Sequence, residues 1–232
     1  MSESTSTLEA APPKRKSYYL PIEERLRLAR LAIEGTLANP EIQEAVAEFG
    51  FEPETMQEGK TLLEEASEML NQHKLKYGEQ YEATAEINEA VEIAHKAYMK
   101  ELTIARIALK NDTKADAALM LSGSRKQSFS GWLPMVRQYY DNLLTNPDWI
   151  EKMKRFKYDR EKIEKDKALV NAVLDLEVKQ NQKKGEAQSF TKSRDEKLDA
   201  LYEWISDFKD IAQVALDDQP QLLEKLGFVV PS

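Results

Sequence analysis

The feature that most constrains this chain is an internal repeat of about 105 residues. When the sequence is shifted by 107 positions, residues 39–111 align with residues 146–218 without a gap, and about 15 of the 73 aligned positions are identical. The matches include an Asn-Pro pair, a Gly-Glu pair and an Ile-Ala-x-x-Ala-Leu ending. Because a duplicated unit adopts the same structure twice, the sequence predicts an internally duplicated fold.

The composition indicates that both copies are helical. Only 8 of the 232 residues are Gly and 9 are Pro, while 32% are charged. Such a chain, rich in strong helix formers, is typical of an all-α protein. We predict a helical bundle in which each copy contributes one very long helix and short capping helices. The predicted helices of the first copy are 21–38, a short one from Pro40, 54–110 and 115–121, and those of the second are 132–145, a short one from Pro147, 159–217 and 220–226.

The two long helices carry an apolar heptad pattern. In the first copy the pattern keeps its phase through Gly78, and in the second copy through Gly185. A loop would normally reset the phase, so we predict two continuous helices of about 57 residues. A hairpin broken at each glycine is the alternative. The heptad positions of the first copy are Met56, Leu63, Leu70, Tyr77, Thr84, Val91, Tyr98 and Ala105, with Ala66, His73, Gln80, Ile87, Ala94, Glu101 and Ala108 as the companion row.

The middle of each long helix is polar, and residues 178–197 contain few side chains that could pack in a core. A polar stripe needs water or satisfied partners, so this part is exposed or lies against a partner chain. The duplicated Gly78 and Gly185 permit a close helix crossing. A solvated face with a tolerated glycine is the alternative. If the helices pair in antiparallel fashion, we expect their polar centres to meet near Thr84 and Thr191.

The repeat also suggests a division of the chain. We predict a disordered tail over 1–17, a first helical unit over 18–121, a connector over 122–131 and a second helical unit over 132–232, with both units packed as one structural domain. The tail ends in a short basic patch, Lys14, Arg15 and Lys16, which we interpret as solvated. The connector contains Arg125, Lys126, Gln127 and Ser128, which is an ordinary composition for a surface loop.

The chain offers little catalytic material, because it has two His and no Cys. Glu92 and His95 have the Glu-x-x-His spacing of di-iron helical bundles. The second copy has Asp199 and Tyr202 at the matching positions, so half of such a site is missing. We therefore predict no catalytic, cofactor-binding or metal-binding residues and no cofactor.

A cluster of aromatic residues in the second copy is predicted to belong to the core rather than to an interface, because aromatic side chains at helical spacing are usually buried. These residues are Trp132, Tyr139, Tyr140, Trp149, Phe156 and Tyr158.

These observations favour a non-enzymatic structural or protein-interaction protein. A net charge of −8 disfavours a general nucleic-acid binder, and no apolar run is long enough to span a membrane. We expect a cytoplasmic protein whose partner is itself or another protein. Self-association is predicted because Ile87, Tyr98 and Phe190 are expected to be exposed in a single chain. The alternative is a bundle that binds a metal or small ligand in its polar centre, through Glu92 and His95.

Overall fold

The structure, a computed structural model, describes residues 20–228. Over this range the chain forms eight α-helices and no β-strand. The predicted tail over 1–17 lies outside the described residues. The helices are α1 (Ile22–Leu37), α2 (Pro40–Ala47), α3 (Pro53–Ala108), α4 (Thr113–Leu119), α5 (Phe129–Leu144), α6 (Pro147–Lys154), α7 (Arg160–Ala215) and α8 (Pro220–Lys225).

The helix boundaries confirm the duplicated all-α fold. Each of the helices α1 to α4 begins 107 residues before its counterpart among α5 to α8. The two Asn-Pro pairs act alike, since the side chains of Asn39 and Asn146 each accept a hydrogen bond from a backbone N–H at the start of α2 and α6. Helix α5 begins at Phe129, so its first turn lies in the segment predicted as connector. Ser128 precedes it in an extended conformation.

The long helices α3 and α7 are each continuous over 56 residues. Gly78 and Gly185 lie inside them, so the hairpin alternative is wrong. A helix-interior glycine costs only about 1 kcal/mol relative to alanine, which the packing of the flanking turns offsets.

The chain forms two compact units that do not coincide with the sequence repeats. Unit 1 contains the described residues up to Glu68 and those from Glu196 onward, and unit 2 contains residues 69–195. Each unit therefore combines the opening helices of one copy with the closing helices of the other. The predicted boundaries at 18–121 and 132–232 describe the sequence repeat and stay a prediction as domain limits.

Unit 1 has an aromatic core. The ring of Phe208 contacts those of Phe51 and Trp204, with centroid distances of 5.2 and 5.4 Å. The indole of Trp204 lies directly against Gly59 of α3, where a Cβ atom would come within 2.4 Å of the ring. A glycine at this position is therefore required by the close approach of a large side chain.

In unit 2, α5 covers one face of α3. Four of the aromatic residues predicted for the core, Trp132, Tyr139, Tyr140 and Trp149, are indeed buried. The ring of Tyr98 on α3 meets Tyr139 edge-on at 5.2 Å. Tyr98 is 0% exposed and Ile87 7%. The expectation that these two side chains are exposed in a single chain is wrong, because α5 and the helices around it already bury this face.

Within unit 2, four charged side chains connect the polar middles of the long helices α3 and α7. Lys183 Nζ lies 2.8 Å from Glu79 and 3.0 Å from Glu186, and Lys76 Nζ lies 3.0 Å from Glu79 and 3.9 Å from Glu186. The two lysines are repeat equivalents, as are the two glutamates, so the cluster is symmetric. Hydrogen bonds from Lys183 and then Lys76 lower the pKa of Glu79. The polar stripes of α3 and α7 thus pair with each other through these charged side chains.

These ion pairs correct the predicted register. An overlap of Thr84 with Thr191 would put Glu79 opposite position 196, whereas Glu79 pairs with Lys183. The hydroxyls of both threonines bond to carbonyls of their own helices. A close crossing at the glycines is also wrong, since no described side chain or neighbouring backbone lies within 4 Å of a Cβ placed on Gly78 or Gly185.

Three glycines of the long helices should therefore respond differently to alanine. Gly78→Ala and Gly185→Ala should each raise the free energy of unfolding by about 0.5–1 kcal/mol, because the methyl group meets no neighbour and the helix loses its flexible residue. Gly59→Ala should lower it by about 1–3 kcal/mol through overpacking against Trp204. Chemical denaturation followed by circular dichroism measures all three, and stabilisation by Gly59→Ala would contradict the packing described for unit 1.

Candidate functional site

Unit 2 contains a cleft of about 840 Å³. It lies between α3 and α7, and the connector and the start of α5 close one side. Its volume falls in the range of ordinary ligand-binding pockets, about 300–1,000 Å³. The residues that line it are Ile87, Asn88, Val91, Glu92, His95, Met99, Arg125, Lys126, Gln127, Phe129, Trp132, Glu177, Gln180 and Asn181.

The lining divides by chemistry into apolar side chains and a polar set. The apolar side chains, hereafter the cleft floor, pack on the core of unit 2. The polar set combines five ionisable side chains with four carboxamides, which both donate and accept hydrogen bonds. The cleft floor consists of Ile87, Val91, Met99, Phe129 and Trp132, and the four carboxamides are Asn88, Gln127, Gln180 and Asn181.

The structure places both residues of the Glu-x-x-His motif on the cleft. Glu92 and His95 are exposed. His95 is held by Trp132, whose indole N–H donates to Nδ1 at 3.0 Å. With Nδ1 acting as acceptor, the neutral imidazole carries its proton on Nε2. Among residues 20–228, no group of three His, Asp or Glu side chains could hold a metal ion.

Arg125 fixes the connector at the edge of the cleft. Its guanidinium donates to the carbonyl oxygens of Met120 and Ser122 and to the hydroxyl of Tyr98, the last at 3.1 Å. One side chain thus bridges a loop to the buried face of α3. The neighbouring Lys126 is exposed. The arginine of this basic segment therefore has a structural role, since it holds the connector against α3.

Below the cleft, the core of unit 2 contains two buried carboxyl groups. Glu101 is 0% exposed and Asp166 is 3% exposed. Lys162 donates to Asp166 Oδ1 at 2.5 Å. The phenols of Tyr139 and Tyr140 face Glu101, but neither Glu101 oxygen has a hydrogen bond of ordinary geometry. A buried carboxyl group without full hydrogen bonding is costly, which marks this cluster as unusual.

Glu101 occupies a heptad position of the sequence, and no role was predicted for it there. Asp166 lies seven residues before the core residue Val173, so it belongs to the same heptad row of α7. A charged residue at a position that the pattern assigns to the core is the signal that could have identified both. Sequence alone gave no sign of the cleft, because its lining comes from three separate segments of the chain.

Comparisons with known proteins identify no relative. No protein-family model matches this chain, and no curated protein or solved structure shows significant similarity to it. Within residues 20–228, no helix combines the length and the apolar character needed to cross a membrane.

The connector anchor yields a direct test. Arg125→Lys should lower the free energy of unfolding by about 2 kcal/mol, because a single ammonium nitrogen cannot replace the two guanidinium nitrogens that reach the carbonyls on one side and the Tyr98 phenol on the other. Lys126→Gln, the adjacent and exposed control, should change it by less than about 0.5 kcal/mol. Urea denaturation with fluorescence detection compares the two, and equal effects would argue against the bridging role of Arg125.

Proposed function

We propose that this protein is a non-enzymatic interaction protein that binds a segment of a partner protein in the unit 2 cleft. The observation that supports the proposal best is the combination of an apolar cleft floor with four carboxamides around it. Apolar side chains of a bound segment would pack on Val91, Met99 and Phe129. The carboxamides would meet its backbone N–H and C=O groups, since each carboxamide offers a donor and an acceptor.

The proposed partner is a second copy of this chain or another protein. Along α3, unit 2 also carries several exposed large apolar side chains. Exposed tyrosines are among the side chains that often dominate the binding energy of protein interfaces. The exposed residues are Leu75, Tyr77, Tyr81, Ile93 and Ile107. The proposed location is the cytoplasm, whose reducing conditions suit a chain without Cys.

Two matched substitutions on α3 test the proposal. Val91→Lys places a charged chain on the cleft floor and should weaken association at least tenfold, whereas Ala85→Lys, at an exposed position of α3 that does not line the cleft, should have little effect. Light scattering across a concentration series measures self-association. Cross-linking mass spectrometry of the full chain measures binding to another protein, with cross-links mapped to the cleft.

The two variants must keep the circular dichroism spectrum of the unchanged protein for the comparison to count. Equal association by both variants would show that the cleft is not the interface. A monomer that gains no cross-linked partner would contradict the interaction function itself.

The cleft also favours a second candidate function, the binding of a small organic ligand. Its volume, together with His95 and Glu92 at its edge, is suitable for a compact molecule with polar groups. Native mass spectrometry of the purified protein would detect a bound molecule, and elemental analysis would detect a metal. A stoichiometric organic ligand that Val91→Lys displaces would favour this candidate over a protein partner.

A further inference from the structure

We infer that Glu101 carries a proton in the core of unit 2, and that loss of this proton loosens the packing of α5 against α3 and α7. The switch consists of a small set of buried groups and does not depend on any partner in the cleft.

The groups around Glu101 come from three helices and one loop. From α3, Tyr98 lies one turn before Glu101. From α5, Tyr139 and Tyr140 face its carboxyl group. Helix α7 contributes Asp166 and Lys162, and Tyr158 comes from the loop before α7. The hydroxyl of Tyr98 is bound by Arg125, and Arg106 also acts on it electrostatically.

Five buried oxygen atoms of this cluster lack a hydrogen bond of ordinary geometry. They are both carboxyl oxygens of Glu101, Oδ2 of Asp166 and the hydroxyls of Tyr139 and Tyr140. Two ionised carboxylates would offer only acceptors, and neither neighbouring phenol forms a hydrogen bond of ordinary geometry to Glu101. A proton on Glu101 adds a donor beside an unpaired acceptor and removes the repulsion between the two carboxyl groups.

The charge balance supports the same conclusion. Lys162 is paired with the carboxyl group of Asp166 at 2.5 Å. With Glu101 protonated, the charges of Asp166 and Lys162 balance each other. With Glu101 ionised, a second buried negative charge stands near Asp166 with no hydrogen bond to either of its oxygens, which is unfavourable.

Burial and then the charge of Asp166 raise the pKa of Glu101 from 4.5 to about 8. A group whose pKa is raised by folding stabilises the folded state fully below its unfolded pKa. That stabilisation falls as the pH rises towards the folded pKa. The contribution of Glu101 to the free energy of unfolding is therefore fully present below about pH 4.5, decreases up to about pH 8 and changes little above it.

The repeat supplies an internal control. In unit 1 the position that matches Glu101 is Phe208, the match of Asp166 is Gly59, and the match of Tyr158 is Phe51. These residues form or adjoin the aromatic core of unit 1. The same helical frame thus has an apolar centre in unit 1 and a titratable one in unit 2, so a proton-dependent change should affect only unit 2.

Helix α5 is the element that should respond. It supplies the two fully buried phenols that face Glu101, and it is a short helix of 16 residues. Pro134 lies inside it and removes one backbone hydrogen bond. Its repeat counterpart α1 has no internal proline. Opening α5 would hydrate Glu101 at a lower cost than separating the two long helices.

Hydrogen exchange of the full chain, resolved by peptide, tests the switch between pH 6 and 9. One proton held in the closed state and released in the open state raises the open fraction about tenfold per pH unit up to about pH 8. After correction for intrinsic exchange rates, α5 peptides should show this rise and α1 peptides should not. The carbon-13 chemical shift of the Glu101 carboxyl group should report a protonated acid at pH 6.

Substitutions separate the proton from the packing. Glu101→Gln keeps the shape without ionising, and Glu101→Met provides an apolar replacement of similar length should the amide fold poorly. Either should abolish the pH dependence of α5 exchange, whereas Glu89→Gln, an exposed control on α3, should retain it. An ionised Glu101 at pH 6, equal pH dependence in α1 and α5, or unchanged pH dependence in the Gln or Met variant would overturn the inference.

Discussion

The structure depends on the antiparallel packing of α3 against α7. In each compact unit, the amino-terminal part of one long helix lies beside the carboxy-terminal part of the other, and heptad residues such as Leu63, Val170 and Leu198 are buried. Apolar burial of this kind is worth roughly 25 cal/mol per Å². The polar middle cannot contribute in this way, and there the two helices are joined by the symmetric ion pairs of Lys76, Glu79, Lys183 and Glu186.

Duplication gave the two units the same frame, but their cores have diverged. Unit 1 is closed by the aromatic group of Phe51, Trp204 and Phe208. Unit 2 instead holds Glu101 and Asp166 among tyrosines and carries the cleft beside them. A buried carboxyl pair reduces stability relative to an apolar core of the same shape. That unit 2 keeps both the cleft and the carboxyl pair is why the functional proposals centre on it.

Much of the fold could be predicted because helical periodicity and capping are local properties. The Asn-Pro starts at Asn39 and Asn146, and the heptad phase through Gly78, each depend on residues within a few turns. The exposure of Tyr98 was predicted wrongly for the opposite reason. Its burial depends on α5, which lies about forty residues further along the chain, and no local pattern records that contact.

By itself, the sequence determined the helices, their duplication and the continuity of the long pair, because these follow from spacing along one chain. The tertiary structure decided which helix segments share a unit, which ion pairs form, and that Glu101 is enclosed by Tyr139 and Tyr140. It also brought three separate segments together around the cleft. Such contacts are set by how whole helices pack, and the cost of burying a charge depends on every neighbour at once.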